Sequence, residues 1–355
     1  MQLALSKDGA YDRLYILNAA YSDPAFTSAE DEADPMVIVK LDISNAFGSL
    51  CARLVLDVLS GKASRYYASG IKVDEEFETA VYELRAYFGF FKLARTCETI
   101  LRYYSYDGAT NYVKCKTGGL QGDSPEFMVF CHVTLHLWGR VFKMFPDLRG
   151  LSFADDGNII GRLSQALRLI AASKPVFKLD GNLDFNLGKT MFLAKGTTAR
   201  HVYDRAKFFL QNDPNLHDIA HDFTLDMFSL QGIEVLGTPI GTDTYIKEYV
   251  AQNCLKIIRD AEKHDPLTDG FVHIQLIKFG VNTCTQYMSA NITLPPQEHF
   301  LSAQHIHVDT AIADAILRKG TRGSFRQWDK NDYDLAVTRL QMPHTDGGSG
   351  GGVTS

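Results

Sequence analysis

The stretch LSFADDGNII, residues 151–160, sets two aspartates side by side between apolar runs. The apolar flanks predict two strands. Asp-Asp-Gly between them is a hairpin signal, because Asp and Gly are favoured turn formers. Two carboxylates within ~4 Å of each other repel by roughly 4 kcal/mol at an effective dielectric of ~20. A solvated turn relaxes that repulsion by spreading the side chains. Asp155 and Asp156 are therefore either a plain hairpin tip or carboxylates of a divalent-cation site. Mg²⁺ takes hard oxygen ligands and is held by one or two carboxylates together with substrate phosphates.

A third carboxylate, Asp42, stands in MVIVKLDISNAF, residues 36–47. Its Val and Ile content predicts a strand. Phe47, Leu50, Leu54 and Val58 come next at helical spacing and predict a helix to about Ser60. Asp42 lies where strand gives way to helix, so it is either a helix N-cap or a third acid at the mouth of a sheet. GGLQGDSP, residues 118–125, is a Gly-rich turn that permits a tight bend or close approach to a ligand. It ends in Asp123 or Ser124 as N-cap, with Pro125 in the first helical turn. The apolar run 126–142 continues as a buried helix.

The rest of the chain fills in around these stretches. Residues 23–35 are acidic and Pro-bearing, a loop; 60–76 are a surface loop; 77–102 have an amphipathic, helical pattern. LSQALRLIAASK, residues 163–174, is a helix with Ser164 as its cap. LDFNLGKTMFLAKG, residues 183–196, is a turn leading into a strand. Residues 232–250 are a hairpin and then a helix, and helical patterns dominate beyond residue 250. This order suits an α+β layer, an antiparallel sheet with helices on one face, joined to a mainly helical C-terminal region.

Composition narrows the partners. The chain has 355 residues, enough for about two or three domains. Its formal charge is 36 − 42 = −6. Residues 1–200 carry 23 basic and 23 acidic side chains, and the remainder 13 and 19. No global basic field advertises nucleic-acid binding, so any such groove is local. Cys51, Cys97, Cys115, Cys131, Cys254 and Cys284 have no Cys-x-x-Cys pairing and are expected to be reduced, mostly buried thiols. No secretory signal and no membrane-spanning run is visible. An intracellular protein of cytoplasm or nucleus, not secreted, is expected.

In order and separation, these stretches resemble the palm of reverse transcriptases. LDISNAF (41–47) is similar to the first palm motif, with its aspartate and an aromatic residue five positions later. LQGDSP (120–125) resembles the second, FADD (153–156) the third and LDFNLGKTMFL (183–193) the fourth. LGTPIG (236–241) resembles the hairpin next in order in the group II intron and non-LTR retrotransposon branches. MPHTDGGSGGG (342–352) is weakly similar to a Pro-x-x-x-Gly-Gly stretch of retroelement-derived proteins.

The resemblance implies a polymerase palm, a ferredoxin-like antiparallel sheet with helices on one face, over residues 36–250. Residues 1–35 would be an N-terminal remnant or loop, 251–340 a helical thumb-like or connection region, and 341–355 a Gly-rich tail. The implied activity is RNA-directed DNA polymerisation, a nucleotidyl transfer onto a primer 3′-hydroxyl. Asp42, Asp155 and Asp156 would hold two Mg²⁺ ions about 3.5–4 Å apart, with Mn²⁺ an alternative. Lys189 would protonate pyrophosphate, unless it is a solvated turn lysine. Ile43, Ser44 and Asn45 would lie under the triphosphate. Phe47 would be the sugar gate favouring deoxynucleotides, or else a core residue on the helix stripe. Gln121 and Gly122 would line the incoming nucleotide and template base.

The implied partners are an RNA or DNA template with primer and deoxynucleoside triphosphates, without a membrane. Only Lys7, Arg13 and Lys40 are basic before Asp42, so the fingers of such a polymerase are expected from a missing segment or an additional subunit. RKGTRGSFRQWDK, residues 318–330, interleaves Arg318, Lys319, Arg322 and Arg326 with Trp328. It is either a backbone-tracking surface with stacking or a solvated helix end. The reading from a different class is a catalytically inactive palm scaffold of retroelement origin that binds nucleic acid or a protein partner.

Overall fold

A computed structural model describes residues 2–3, 7–27, 33–60, 86–96, 99–105, 108–115, 124–263, 269–276, 284, 287, 291–292, 300–320 and 327–341. The chain divides into two compact units, Met1–Leu236 and Gly237–Ser355. In the first, the elements run β1 (Gln2–Leu3), α1 (Lys7–Ser22), β2 (Met36–Ser44), α2 (Ala46–Ser49), α3 (Ala52–Leu59), α4 (Phe88–Thr96), β3 (Thr99–Tyr104) and β4 (Thr110–Cys115). They continue as α5 (Ser124–Phe142), β5 (Arg149–Phe153), β6 (Asp156–Arg162), α6 (Leu163–Val176), β7 (Asp184–Phe185), β8 (Met191–Leu193), α7 (Ala199–Asn212), β9 (Phe228–Ser229) and β10 (Gly232–Val235).

The main sheet has the order β1-β5-β6-β2-β8-β9, with β7 also on β2. Its central ladders are antiparallel, while β1 on β5 and β9 on β8 are parallel. Strand β2 is the spine, and its side chains alternate between two buried faces. Val37, Val39, Leu41 and Ile43 share one core with Ile159 and Phe192 of the sheet, Phe130 and Trp138 of α5 and Leu167 and Ile170 of α6. On the other face Ile38 lies opposite both Ile160 and Leu193, and Leu151 lies opposite Asn158. All four apolar residues there are buried. Helix α1 packs against β5 and buries Leu14, Leu17 and Tyr21. Its Arg13 reaches Asn158, so α1 lies on this second face.

The fold has the expected α+β class, but helices cover both faces of the sheet instead of one, and further details differ. First, residues 7–22 are a helix where a remnant or loop is expected over 1–35; the spacing of Leu14, Leu17 and Tyr21 is the helical signal. Second, the helix expected from Phe47 to Ser60 is two helices, α2 and α3, broken at Leu50–Cys51. The break is held from outside: Cys51 N–H donates to the Gly181 carbonyl (2.8 Å), and the Asn182 side-chain amide donates to the Ser49 carbonyl (2.9 Å). Third, the helical pattern over 77–102 yields helix only to Thr96 and then strand β3; residues 61–85 lie outside the described ones. Ser164 does not cap α6. It lies inside the first turn, and Asp34 accepts from its N–H (2.9 Å) and its hydroxyl (2.6 Å), doing the capping from a distance in sequence.

The second unit is built from β11 (Thr238–Gly241), α8 (Asp243–Lys263), α9 (Gly270–Leu276), α10 (Phe300–Gly320) and α11 (Lys330–Gln341). Ile246, Val250, Cys254, Ile257 and Ala261 form a stripe on α8 that packs with Val308, Ile312 and Ala315 of α10. Helix α8 passes through position 250, where the sequence places the end of the palm. Among the described residues no helix is long and apolar enough to cross a membrane. Cys131 and Cys254 are buried free thiols, and Cys284 is exposed.

The hairpin turn itself departs from expectation. Phe153 pairs with Asp156, so the turn is Ala154–Asp155, with Ala154 at φ 50°. Gly157 is therefore a strand residue. A Cβ there would sit 3.1 Å from Trp138 Cζ2 and 3.6 Å from Leu41 Cβ. Trp138 is locked against Phe142, Phe177 and Phe185, so it has little room to retreat. Gly157→Val is expected to lower stability by about 1–3 kcal/mol through overpacking. Urea unfolding of the two chains measures it, and an unchanged midpoint would mean that the Trp138 ring yields freely.

Candidate functional site

The register of β2 and β6 places Asp42 directly opposite Asp156. Directly paired residues on neighbouring strands project from the same face. The ladder is closed beyond this pair by the Ile43 N–H, which donates to the Asp155 carbonyl at 3.1 Å. Asp42 and the Asp155–Asp156 doublet, far apart in sequence, thus lie at one end of the sheet, with Asp42 and Asp156 on the face that α1 shares.

The loop after β7 completes this end. Ile43 and Ser44 pair with Phe185 and Asp184. Asn186 N–H donates to the Asp42 carbonyl (2.8 Å), and a single 3₁₀ turn, Leu187–Lys189, comes next. It presents Lys189, whose Nζ lies 3.3 Å from Asp42 Oδ2. The ammonium side chain is two-thirds exposed (67%), whereas that of Asp42 is largely covered (15%).

The electrostatics derive from burial and crowding. Burial pushes the Asp155 carboxyl above the usual carboxylate range, the charges of Asp156 and Asp42 push it further, and Lys189 opposes them. Burial also raises Asp156; Arg13 and Lys40 pull it back, Asp42 pushes it up, and Lys189 lowers it again. Behind the turn, the Ala154 backbone hydrogen-bonds Cys131 of α5, whose thiol burial drives up to about 12. That thiol is inert at neutral pH.

Other expected site residues divide into those near this end and those outside the described residues. Asn45 adopts a left-handed conformation (φ 45°, ψ 43°) and its amide donates to Ser49 Oγ (3.1 Å). Helix α2 is only four residues long, so Ser44 and Asn45 do not open a helix-start anion site. The Ile43 N–H is spent on Asp155 and is not free for a phosphate. Phe47 is half-buried, with its ring 4.7 Å from that of Phe130. Gln121 and Gly122 lie outside the described residues, as do Arg322 and Arg326. Arg318 and Lys319 belong to α10, and Trp328 is exposed just before α11.

Sequence reasoning gave Lys40, Asn158 and Arg13 no place in the site. Lys40 precedes Asp42 by two and Asn158 lies two beyond Asp156, so strand alternation puts all four on one face. That signal was readable. Arg13 had none, because its place depends on how α1 docks.

The donor set is made of hard carboxylate oxygens under mutual repulsion, which suits Mg²⁺ or Mn²⁺. Yet among the described residues no three His, Cys, Asp or Glu side chains are gathered closely enough to hold an ion. Lys189 neutralises Asp42 instead. The carboxylates suit a divalent cation in chemistry alone; in this structure they are not gathered around a common point.

No family model matches the chain, and no curated protein matches it. Solved structures similar to it include telomerase from Candida albicans in complex with a fragment of telomeric RNA, with a TM-score of 0.40 and 9% identity, covering 95% of this chain and 52% of that one. Apo telomerase from Candida tropicalis gives 0.40 and 11%, covering 94% and 50%. The chain spans about half the length of these telomerases. Neither is a group II intron or non-LTR retrotransposon protein. So remote a likeness leaves the sheet and its carboxylates as the ground for the palm assignment.

A doublet kept for function costs stability; one kept as a turn does not. Asp155→Asn is expected to raise the urea midpoint at pH 7, because it removes a half-buried charge facing two others. The folded carboxyl titrates above its unfolded value of 3.8, so its ionisation destabilises the fold as pH rises through that window. The advantage of the variant should therefore shrink as pH falls towards 4. Midpoints measured between pH 4 and 7 test this, and a variant less stable at pH 7 would mark Asp155 as a structural turn residue.

Proposed function

We propose that this chain is a template-directed nucleotidyltransferase of the reverse-transcriptase kind, an RNA-directed DNA polymerase. The observation that carries the reading is the pairing of Asp42 with Asp156 beside Asp155 at the rim of a palm sheet. Asp42, Asp155 and Asp156 would hold two Mg²⁺ or Mn²⁺ ions. Such ions activate a primer 3′-hydroxyl and stabilise the leaving pyrophosphate. The residues' own part is positional. The ladder fixes Asp42 against Asp156, and the Asn186 N–H anchors the loop that carries Lys189. Lys189, exposed and on a long flexible stem, can reach a leaving phosphate oxygen and donate its proton there. Under this reading the Phe47 ring, braced by Phe130, would exclude a ribose 2′-hydroxyl.

Under this reading the substrates are deoxynucleoside triphosphates on a primed RNA or DNA template, and retroelement ancestry is the proposed origin. The Arg318–Trp328 region is the proposed contact with nucleic acid, and a further subunit or segment would supply fingers. The Lys189–Asp42 ion pair and the ungathered carboxylates favour one alternative, a palm scaffold that has lost its chemistry and binds nucleic acid or protein.

Primer extension on an RNA template with Mg²⁺ and dNTPs decides between them. The chain should extend, while Asp42→Ala and Asp155→Ala should fall to background. No extension by any of the three favours the scaffold, and equal extension by all three would remove Asp42 and Asp155 from catalysis. A thermal shift with Mn²⁺, present in the parent and absent in Asp155→Ala, gives a second readout.

The gate makes its own prediction. Phe47→Val should raise incorporation of ribonucleotides relative to deoxynucleotides by about tenfold, a difference of about 1.4 kcal/mol in the barrier. An unchanged ratio would leave Phe47 as a core residue only.

A further inference from the structure

The face of the sheet that bears Asp42 and Asp156 also carries a fully buried arginine. Arg13 of α1 is 2% exposed. Its Nε donates to Asn158 Oδ1 at 2.7 Å, and its Nη2 donates to the same oxygen. Asn158 in turn donates through Nδ2 to the Val39 carbonyl (3.3 Å), which ties the fork to β2. Asn158 stands opposite Lys40, one pleat behind the Asp156–Asp42 pair. A buried guanidinium is costly unless opposite charge lies near it. The acidic end of the sheet supplies such charge on this face, at Asp156.

We propose that Arg13 is a positioning residue of the acidic site: a buried cation that locks the Asp156 end of β6 through Asn158 and offsets the charge of the carboxylates. The inference rests on the proposed function for the metal it concerns, and on packing alone for the counter-charge. The pull of Arg13 on Asp156, the strongest of those opposing its burial, agrees with the geometry. Three cations, Arg13, Lys40 and Lys189, act on Asp156, and Lys189 acts on Asp155 and Asp42 as well. They differ in mobility. Lys189 is exposed and can leave Asp42, whereas Arg13 is enclosed and forked onto Asn158, so it stays when an ion arrives. Its fixed positive charge then weakens the hold of the site on a bare divalent cation.

The test compares Arg13→Lys with Arg13→Gln, each alone and in the Asp156→Asn background. Both replacements lose the fork to Asn158, and they differ in charge. With Asp156 present, the glutamine variant should have the lower urea midpoint; with Asp156→Asn the two should converge. Equal midpoints for the lysine and glutamine variants in both backgrounds would overturn the counter-charge. Mn²⁺ titration, monitored by the electron paramagnetic resonance of the free ion, gives the second readout. Arg13→Gln should bind Mn²⁺ several-fold more tightly than the parent, with Arg13→Lys near the parent. Unchanged or weaker binding by Arg13→Gln would overturn the inference. Should the parent bind no Mn²⁺ while the midpoints behave as expected, the counter-charge stands and the proposed polymerase reading falls.

Discussion

Two like charges directly opposite one another on adjacent strands are the constraint around which the first unit is arranged. Such pairs are unfavourable, and a sheet would avoid them if its register were free to slip. It is not free. The same ladder that ends in Asp42 and Asp156 also pairs Ile38 with Ile160 and Val39 with Ile159, and all four are buried. Moving β2 by one residue would exchange its two faces and turn Lys40 and Asp42 into the helical core. The apolar pairs thus impose the acidic pair, and the repulsion is held in place by burial elsewhere in the same strand.

Along most of β2 both faces are closed, one by α5 and α6 and the other by the layer of α1. At Asp42 the side chain is still largely covered, at 15% exposed, but the strand is near its end. The strand runs on only to Ser44, and beside it lie the short β7 and the turn bearing Lys189. A carboxylate is tolerable there because solvent and a lysine are within reach, and its position is still as exact as the ladder that carries it.

How much of this was legible in the sequence depends on whether the signal was local. Period-two alternation in MVIVKLDIS and the apolar length of 126–142 are local, and β2 and α5 formed as read. The acidic trio was legible through the order of its motifs, since no single stretch shows that Asp42 and Asp156 are neighbours. The failures share a cause. Gly157 reads as a turn glycine until Trp138 is seen against it, Ser164 reads as a cap until Asp34 is found supplying one, and the helix after Asn45 reads as continuous until Gly181 is seen to hold its break. In each case a partner distant in sequence decides a local conformation, and tertiary contact overrides propensity. Strand β3 is the exception. Thr99 to Tyr104 is rich in β-formers, and a helical pattern was carried too far across it.

The counter-charges bear on how little the site would have to change between an empty and a loaded state. The loop bearing Lys189 is attached to Asp42 by the backbone of Asn186, not by the lysine. Breaking the ion pair therefore leaves the loop where it is. An exposed lysine gives up little on release, since exposed pairs contribute about 0–1 kcal/mol. Arg13 is held by two donors to a buried amide that is itself bonded to β2, so the backbone under Asp156 has no comparable freedom. One flexible side chain moves and the ladder stays. Under the proposed function, loading would displace one ammonium and would still have to draw together carboxylates that the ladder holds at one end of the sheet.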